Sequence, residues 1–212
     1  MFKGKKYINR LSKYKNALYR LKALGFVRVF SENLGEAVGS TSAQVRKDFS
    51  IFGISGNKKG GYLVDDLIDS LNRILGKDKI QQVIIVGAGN IGTALMNYQG
   101  FEKEGIKILA CFDIDPARHD ENKSIKILPF GKLNNFVKEH NIRIGIIAVP
   151  DIAAQHVLDI MIASGIKGVL NFAPIRLKAP NDVVINSVNL GLELENLIYF
   201  VNALGRTDKK RR

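Results

Sequence analysis

The run QVIIVGAGNIGTAL at residues 82–95 constrains the fold more than any other part of the chain. Four β-branched residues lead into Gly87, Gly89 and Gly92, spaced G-x-G-x-x-G, and a helical pattern follows. That order of strand, tight turn and helix is how a doubly wound α/β domain begins. The glycines let backbone approach a pyrophosphate, and a helix opening at Asn90 and Ile91 turns its unpaired N–H groups toward that anion. A second apolar run ends at Asp113, 21 positions past Gly92, where a carboxylate accepts hydrogen bonds from an adenosine ribose. Asp113, with Asp115 behind it, repels a 2′-phosphate, so the expected ligand is NAD(H) rather than NADP(H). A turn of the same shape that holds no ligand is the alternative.

Beyond the glycines, residues 83–86, 106–112, 125–128, 144–149 and 169–172 read as buried strands, with 183–188 as a sixth. Continuous apolar strands separated by helical stretches predict a parallel sheet covered on both faces, and right-handed crossovers leave a doubly wound Rossmann sheet as the expected topology. Hydride chemistry would need an acid, a base or a metal beside the nicotinamide. His119, His140 and His156 stand in helical or loop contexts and read as surface or packing residues. No Tyr-x-x-x-Lys occurs, no metal-ligand cluster is visible, and Cys111 reads as a small apolar residue within a strand. The expectation is a domain that holds a dinucleotide without turning it over: no enzyme and no metal.

Charge directs attention to the other end. The net is +12, yet residues 1–80 hold 16 basic and 7 acidic side chains, residues 81–205 hold 11 and 12, and residues 206–212 hold 5 and 1. A basic first third ahead of a near-neutral body predicts a polyanionic partner, duplex nucleic acid before a membrane; a solubility surface is the bland alternative. Ile8, Leu11, Tyr14, Leu18 and Leu21 line one face of a first helix that Gly25 ends. A second helix is expected behind Ser31 as N-cap, ending at Gly39. Thr41 then offers a hydroxyl to a third helix that turns Val45, Phe49 and Phe52 inward and leaves Gln44, Arg46, Lys47 and Ser50 off the buried stripe. Two short helices about a glycine turn, the second carrying Gln, Arg and Lys outward, match a helix-turn-helix. ISGNKKGGYLV at 54–64 follows as a hairpin signal, the wing of a winged helix, with Lys58, Lys59 and Gly60 at its tip. GNKKGGY is no Walker loop, since no Lys-Ser/Thr pair and helix follow its second glycine.

At the far end Leu190, Leu194, Leu197, Val201 and Leu204 repeat at helical spacing. This stripe suits a core helix or the seam of a dimer, which a palindromic DNA partner requires. The expected organisation is a winged-helix DNA-binding domain at 1–78, an NAD(H)-binding Rossmann domain at 79–188, a dimerisation helix at 189–205 and a basic tail at 206–212. No run has the roughly 18 apolar residues of a membrane span, and the first residues lack a signal-peptide core; together with a single cysteine these predict a soluble, cytoplasmic protein.

Taken together, RLSKYKNAL, SENLGEAVGSTSAQVRKDFSIFG, GGYLVDDL, VIIVGAGNIGTALMNYQGF, CFDIDPAR, IAVPDIAAQ and GIKGVLNFAP make the chain resemble the Rex family of redox-sensing transcriptional repressors over nearly its whole length. The resemblance implies a homodimer whose winged helices bind an inverted-repeat operator. It implies Rossmann domains that bind NADH and NAD⁺ in competition, NADH releasing the DNA, and a C-terminal helix swapped between subunits. By position it gives Arg46 and Lys47 to the reading helix, Lys58, Lys59 and Gly60 to the wing, and Gly87, Gly89, Gly92 and Asp113 to the dinucleotide. It also places Tyr98, Val149, Pro150 and Asn171 around the nicotinamide. Family members often pair an Arg at the position of Asn16 with an Asp at the position of Asn189 across subunits, next to Leu190. Two amides stand there in this chain, so the resemblance implies a switch without that charge. An NAD-dependent oxidoreductase, and a Rossmann domain taking coenzyme A or NADP, are the rival readings.

Overall fold

A computed structural model describes residues 4–57 and 60–209, with the side chains of residue 5 and of residues 205–209 outside the description. The chain divides into two units, Met1–Ile80 and Gln81–Arg212.

In the first unit, helix α1 (Lys5–Ala23) carries Leu11, Tyr14, Ala17 and Leu18 on one face, all essentially without exposed surface. Gly25 lies past the helix end at φ +86. Strand β1 (Arg28–Val29) leads into α2 (Ser31–Val38) and α3 (Ser42–Ile51), and β2 (Tyr62–Leu63) returns antiparallel to β1 before α4 (Val64–Ile74). Leu34, Val45, Phe49, Val64, Leu67 and Leu71 close the core with α1. Phe49 sits edge-on to Tyr14 and Tyr62, with ring centres 5.5 and 5.2 Å away. Burying one such ring contributes on the order of 2 kcal/mol.

Two local expectations need correction. Ser31 is not the cap of α2: that position belongs to Phe30, whose N–H is held by Asn33 Oδ1 at 3.0 Å, and Ser31 lies inside the first turn. An Asn in the third helical position does what a capping-box Glu or Gln does. The wing is also smaller than a two-stranded hairpin. Among the described residues its outgoing arm meets the return at the bridge Asn57↔Gly61, while the strand partner of Tyr62 and Leu63 is β1. Thr41 does cap α3, accepting from the Gln44 N–H at 3.1 Å.

The second unit is a six-stranded, fully parallel sheet. Its elements run β3 (Gln81–Val86), α5 (Asn90–Met96), α6 (Gly100–Lys103), β4 (Ile106–Asp113), β5 (Lys126–Pro129), α7 (Leu133–Glu139), β6 (Ile144–Ile147), α8 (Asp151–Ser164), β7 (Gly168–Asn171) and β8 (Val184–Ser187). The spatial order β5-β4-β3-β6-β7-β8 reverses direction between β3 and β6, the crevice where such sheets bind ligands. Ile84 and Val86 enter one core with Leu133, Val137, Leu158 and Met161, whereas Val83 and Ile85 enter another with Leu95, Met96 and Phe101. Both faces of β3 are therefore dry, which is why its sequence does not alternate. Cys111 is buried in β4.

Helix α9 (Leu190–Lys209) is the last described element, so the basic residues from 206 to 209 belong to a helix; Lys210, Arg211 and Arg212 lie outside the described residues. Among the described residues no helix is long and apolar enough to cross a membrane.

Candidate functional site

Where β3 and β6 diverge, the strand ends enclose a cavity of about 760 Å³. Gly87, Gly89, Asn90 and Ile91 form one wall, Asp113, Ile114, Asp115 and Arg118 a second, and Val149, Pro150, Phe172 and Pro174 a third. The three glycines have different reasons for being there. Gly87 turns at φ +103, and a Cβ on it would stand 2.4 Å from the Ala148 carbonyl oxygen. A Cβ on Gly92 would lie 1.8 Å from the Gly87 oxygen, so the helix cannot approach the strand end with any other residue. Gly89 has an ordinary φ of −71, and a Cβ there would meet nothing nearer than an Arg118 nitrogen at 3.6 Å. Packing thus accounts for Gly87 and Gly92 but not for Gly89. Gly89 lines the cavity, where a ligand's phosphates would need to reach backbone, and the residues present fit a dinucleotide for that reason.

Asp113 closes the opposite side. It is 6% exposed, and its Oδ2 accepts the Ala88 N–H at 2.6 Å while its Oδ1 accepts the Asp115 N–H at 2.8 Å. Burial pushes its pKa up, but those two backbone donors and the Arg118 charge outweigh it and hold the carboxyl below its usual value. The result is an anion fixed at the strand end, able to accept from a sugar hydroxyl. Arg118 pairs loosely with Asp113 and Asp115, at 3.4 Å each. His119 turns its Nε2 to the Asp113 carbonyl oxygen at 2.9 Å.

The second surface is the outer face of α3. Arg46, Lys47 and Ser50 are exposed, as is Thr41 at its cap. Gln44 is not free as expected: it is half-buried, and its amide donates to Asp48 Oδ1 at 2.8 Å. Asp48 has no exposed surface and receives Arg10 Nε and Nη2 at 2.5 and 2.6 Å and the Tyr14 hydroxyl at 2.9 Å. Burial raises its pKa, while the bonds from Arg10, Tyr14 and Gln44 lower it by more, so it stays ionised. This bidentate pair fixes α3 to α1 from the inside. Arg46 Nη1 donates to Ser31 Oγ at 3.0 Å, and the residue is exposed. In the wing, Gly60 is held by Arg28 Nη1, which donates to its carbonyl at 2.8 Å. Lys58 and Lys59 lie outside the described residues.

Two family models match the chain: "CoA binding domain" over residues 78–175 and "Putative DNA-binding protein N-terminus" over residues 5–50. Proteins described as redox-sensing transcriptional repressor Rex are similar over most of their length. That of Desulforamulus reducens is 44% identical over 91% of this chain and 92% of its own, and that of Syntrophomonas wolfei is 44% identical over 92% and 93%. The chain belongs to the Rex family of redox-sensing transcriptional repressors. Its fold is likewise that of the Rex-family repressor RSP. The RSP complex with β-NAD⁺ and operator DNA matches with a TM-score of 0.91 at 35% identity, covering 100% of this chain and 98% of the other. The complex with β-NADH matches at 0.84 and 35%, covering 99% of each.

Within this Rex chain the remaining expected residues fall unevenly. Val149 and Pro150 line the cavity. Tyr98 does not: it is 60% exposed and packs edge-on against Phe101 with ring centres 5.0 Å apart. Asn171 is fully buried, with its amide bound to the Ala173 and Ile175 carbonyls and its Oδ1 to the Ala173 N–H, so it shapes the third wall from behind. Asn189 caps α9, accepting the Leu192 N–H at 3.1 Å, and Asn16 is exposed on α1. Leu190 begins a helix whose large apolar side chains, Leu194, Leu197, Val201 and Leu204 among them, are more than half exposed. Sequence reasoning missed Arg118, and it set aside His156, which lines the cavity from α8. Among the described residues no group of three or more His, Cys, Asp or Glu could hold a metal ion.

Proposed function

We propose that the chain is a dimeric, cytoplasmic transcriptional repressor that binds operator DNA and is released by NADH, and that it performs no reaction on the cofactor. The observation that carries the nucleotide half is Gly89, which neither strain nor packing demands and which a phosphate-bearing ligand in the cavity explains. NAD⁺ and operator DNA are bound together in one RSP structure and NADH in another. Regulation then requires only that the reduced cofactor bind better to the conformation that fits DNA badly, a coupling of about 1–3 kcal/mol.

Arg46, Lys47, Ser50 and Thr41 read duplex DNA from α3, with Gly60 at the wing and Lys58 and Lys59 assigned there by sequence position. Asn90, Ile91, Gly87, Gly89, Asp113, Val149 and Pro150 hold the dinucleotide, and Gly92, which does not line the cavity, lets α5 come close to the end of β3. The exposed apolar length of α9, which a folded monomer rarely leaves in water, supports a second copy as its partner. Asn16 and Asn189 carry no charge, so NADH weakens operator binding by a smaller factor than in relatives with an Arg–Asp pair. The match to a CoA-binding model favours one second reading: coenzyme A shares the ADP portion that the glycines and Asp113 would hold.

Operator binding measured with NADH, NAD⁺, coenzyme A and no addition tests the whole. NADH alone is expected to raise the DNA dissociation constant. Equal affinity in all four arms removes the sensing reading, and release by coenzyme A alone replaces it. Arg46→Ala, assayed across salt concentrations, is expected to weaken binding at every one, because phosphate and base contacts of this helix set the affinity.

A further inference from the structure

Arg118 stands over the glycine turn. Its Nη1 lies 3.6 Å from the Cβ position of Gly89 and 3.4 Å from Asp113 Oδ2, its Nε lies 3.4 Å from Asp115 Oδ2, and its side chain is 48% exposed. Both contacts are long for charge-assisted hydrogen bonds, which close to about 2.7–2.9 Å. Asp113 does not need Arg118 to be satisfied, since the Ala88 and Asp115 N–H groups already hold its two oxygens. The guanidinium is therefore a loosely tethered cation on the wall of the cavity, where the expected sugar and phosphates converge.

We propose that Arg118 determines how strongly this chain discriminates between dinucleotides with and without a 2′-phosphate. The inference rests on the nucleotide reading of the cavity. Asp113 and Asp115 alone would exclude a phosphate dianion from the ribose 2′ position by like charge. Arg118, planar and permanently charged, releases Asp113 when a ribose hydroxyl takes that oxygen and turns to the 2′ side. It offsets the two carboxylates there, so a 2′-phosphate is tolerated in part. NADH gains little from the same cation, because its hydroxyl is neutral and Asp113 accepts from it directly.

Calorimetric titration of the full chain with NADH and with NADPH, in the wild type, Arg118→Ala and Arg118→Lys, tests this. Arg118→Ala is expected to weaken NADPH roughly tenfold, about the worth of one charge-assisted contact, and NADH by less than about threefold, with Arg118→Lys between the two. An NADPH/NADH affinity ratio that Arg118→Ala leaves unchanged overturns the inference while the dinucleotide site stands. Equal weakening of both ligands also overturns it and assigns Arg118 to the shared pyrophosphate. A wild type that binds neither dinucleotide removes the nucleotide reading, and this inference with it.

Discussion

Among the described residues each unit buries one carboxylate, and the two are held in opposite ways. In the winged-helix unit, Asp48 is gripped by three side chains, Arg10, Tyr14 and Gln44. In the Rossmann unit, Asp113 is gripped by two backbone N–H groups, with Arg118 at arm's length. A small helical core whose strands are only two residues long has few free backbone donors, because its helices use their own. Its carboxylate must recruit side chains, is enclosed by them, and ties α3, on which Arg46 and Lys47 are exposed, to α1. A parallel sheet offers unpaired N–H groups at every strand end, so its carboxylate is anchored from one side and keeps the other for a ligand. A buried acid is therefore enclosed architecture in one unit and part of a cavity wall in the other.

Five variants break or sharpen that contrast. Asp48→Ala carries the largest expected effect, because it leaves the Tyr14 hydroxyl and Arg10 without their partner. Loss of one member of a buried pair costs about 3 kcal/mol or more, which lowers the thermal midpoint of a unit this size by roughly 15 °C. Operator affinity should collapse while NADH affinity holds; a variant that binds operator normally would show that the pair does not aim α3. Gly92→Ala and Gly89→Ala divide fold from function within the other unit. The first drives a Cβ into the Gly87 carbonyl and is expected to cost about 3 kcal/mol or more. The second should leave stability within about 0.5 kcal/mol and lower NADH affinity at least tenfold; a Gly89→Ala chain with full NADH affinity would leave that glycine unexplained.

Acid titration separates the two carboxylates more gently. Both pKa values are lowered by folding, so both contribute stability that is complete above the unfolded value of about 3.9. It is lost as pH falls from there through the folded values. Followed by a probe in each unit, Asp48→Asn should flatten this acid limb in the winged-helix unit alone, and loss of the limb in both would show that the units do not titrate separately. Smallest is Asn189→Ala, which removes the α9 cap for about 1 kcal/mol and should shift the monomer–dimer equilibrium modestly toward monomer, as read by sedimentation at several concentrations.

The same contrast explains what the sequence could disclose. The sheet was legible because burial on both faces writes itself as unbroken β-branched runs, and Gly87, Gly92 and Asp113 are bound to one another by spacing as well as by contact. Strand ends moved by one or two residues where the chain leaves the sheet, as at Ile147 rather than 149. The Arg10–Asp48 pair was invisible because 38 residues separate its members and no periodicity links them. Gln44 faced outward on a helical wheel and inward in the structure for the same reason, since its partner became known only when α1 was in place. Arg118 follows the acids in a short 3₁₀ turn after β4, where no repeat predicts which way a side chain leans. Ser31 offers the hydroxyl typical of a cap, but the Phe30 N–H is met instead by the amide oxygen that Asn33 turns back to it.

Cys111, the chain's one thiol, lies in β4 two residues before Asp113, and burial together with that neighbouring charge pushes its pKa up to about 12. At neutral pH it stays protonated and buried, and it is the thiolate that attacks peroxides and disulfides. A repressor built this way answers to the oxidation state of a diffusible carrier and stays deaf to oxidants that strike sulfur, so a burst of peroxide would change its grip on DNA only after metabolism had changed the nicotinamide pool.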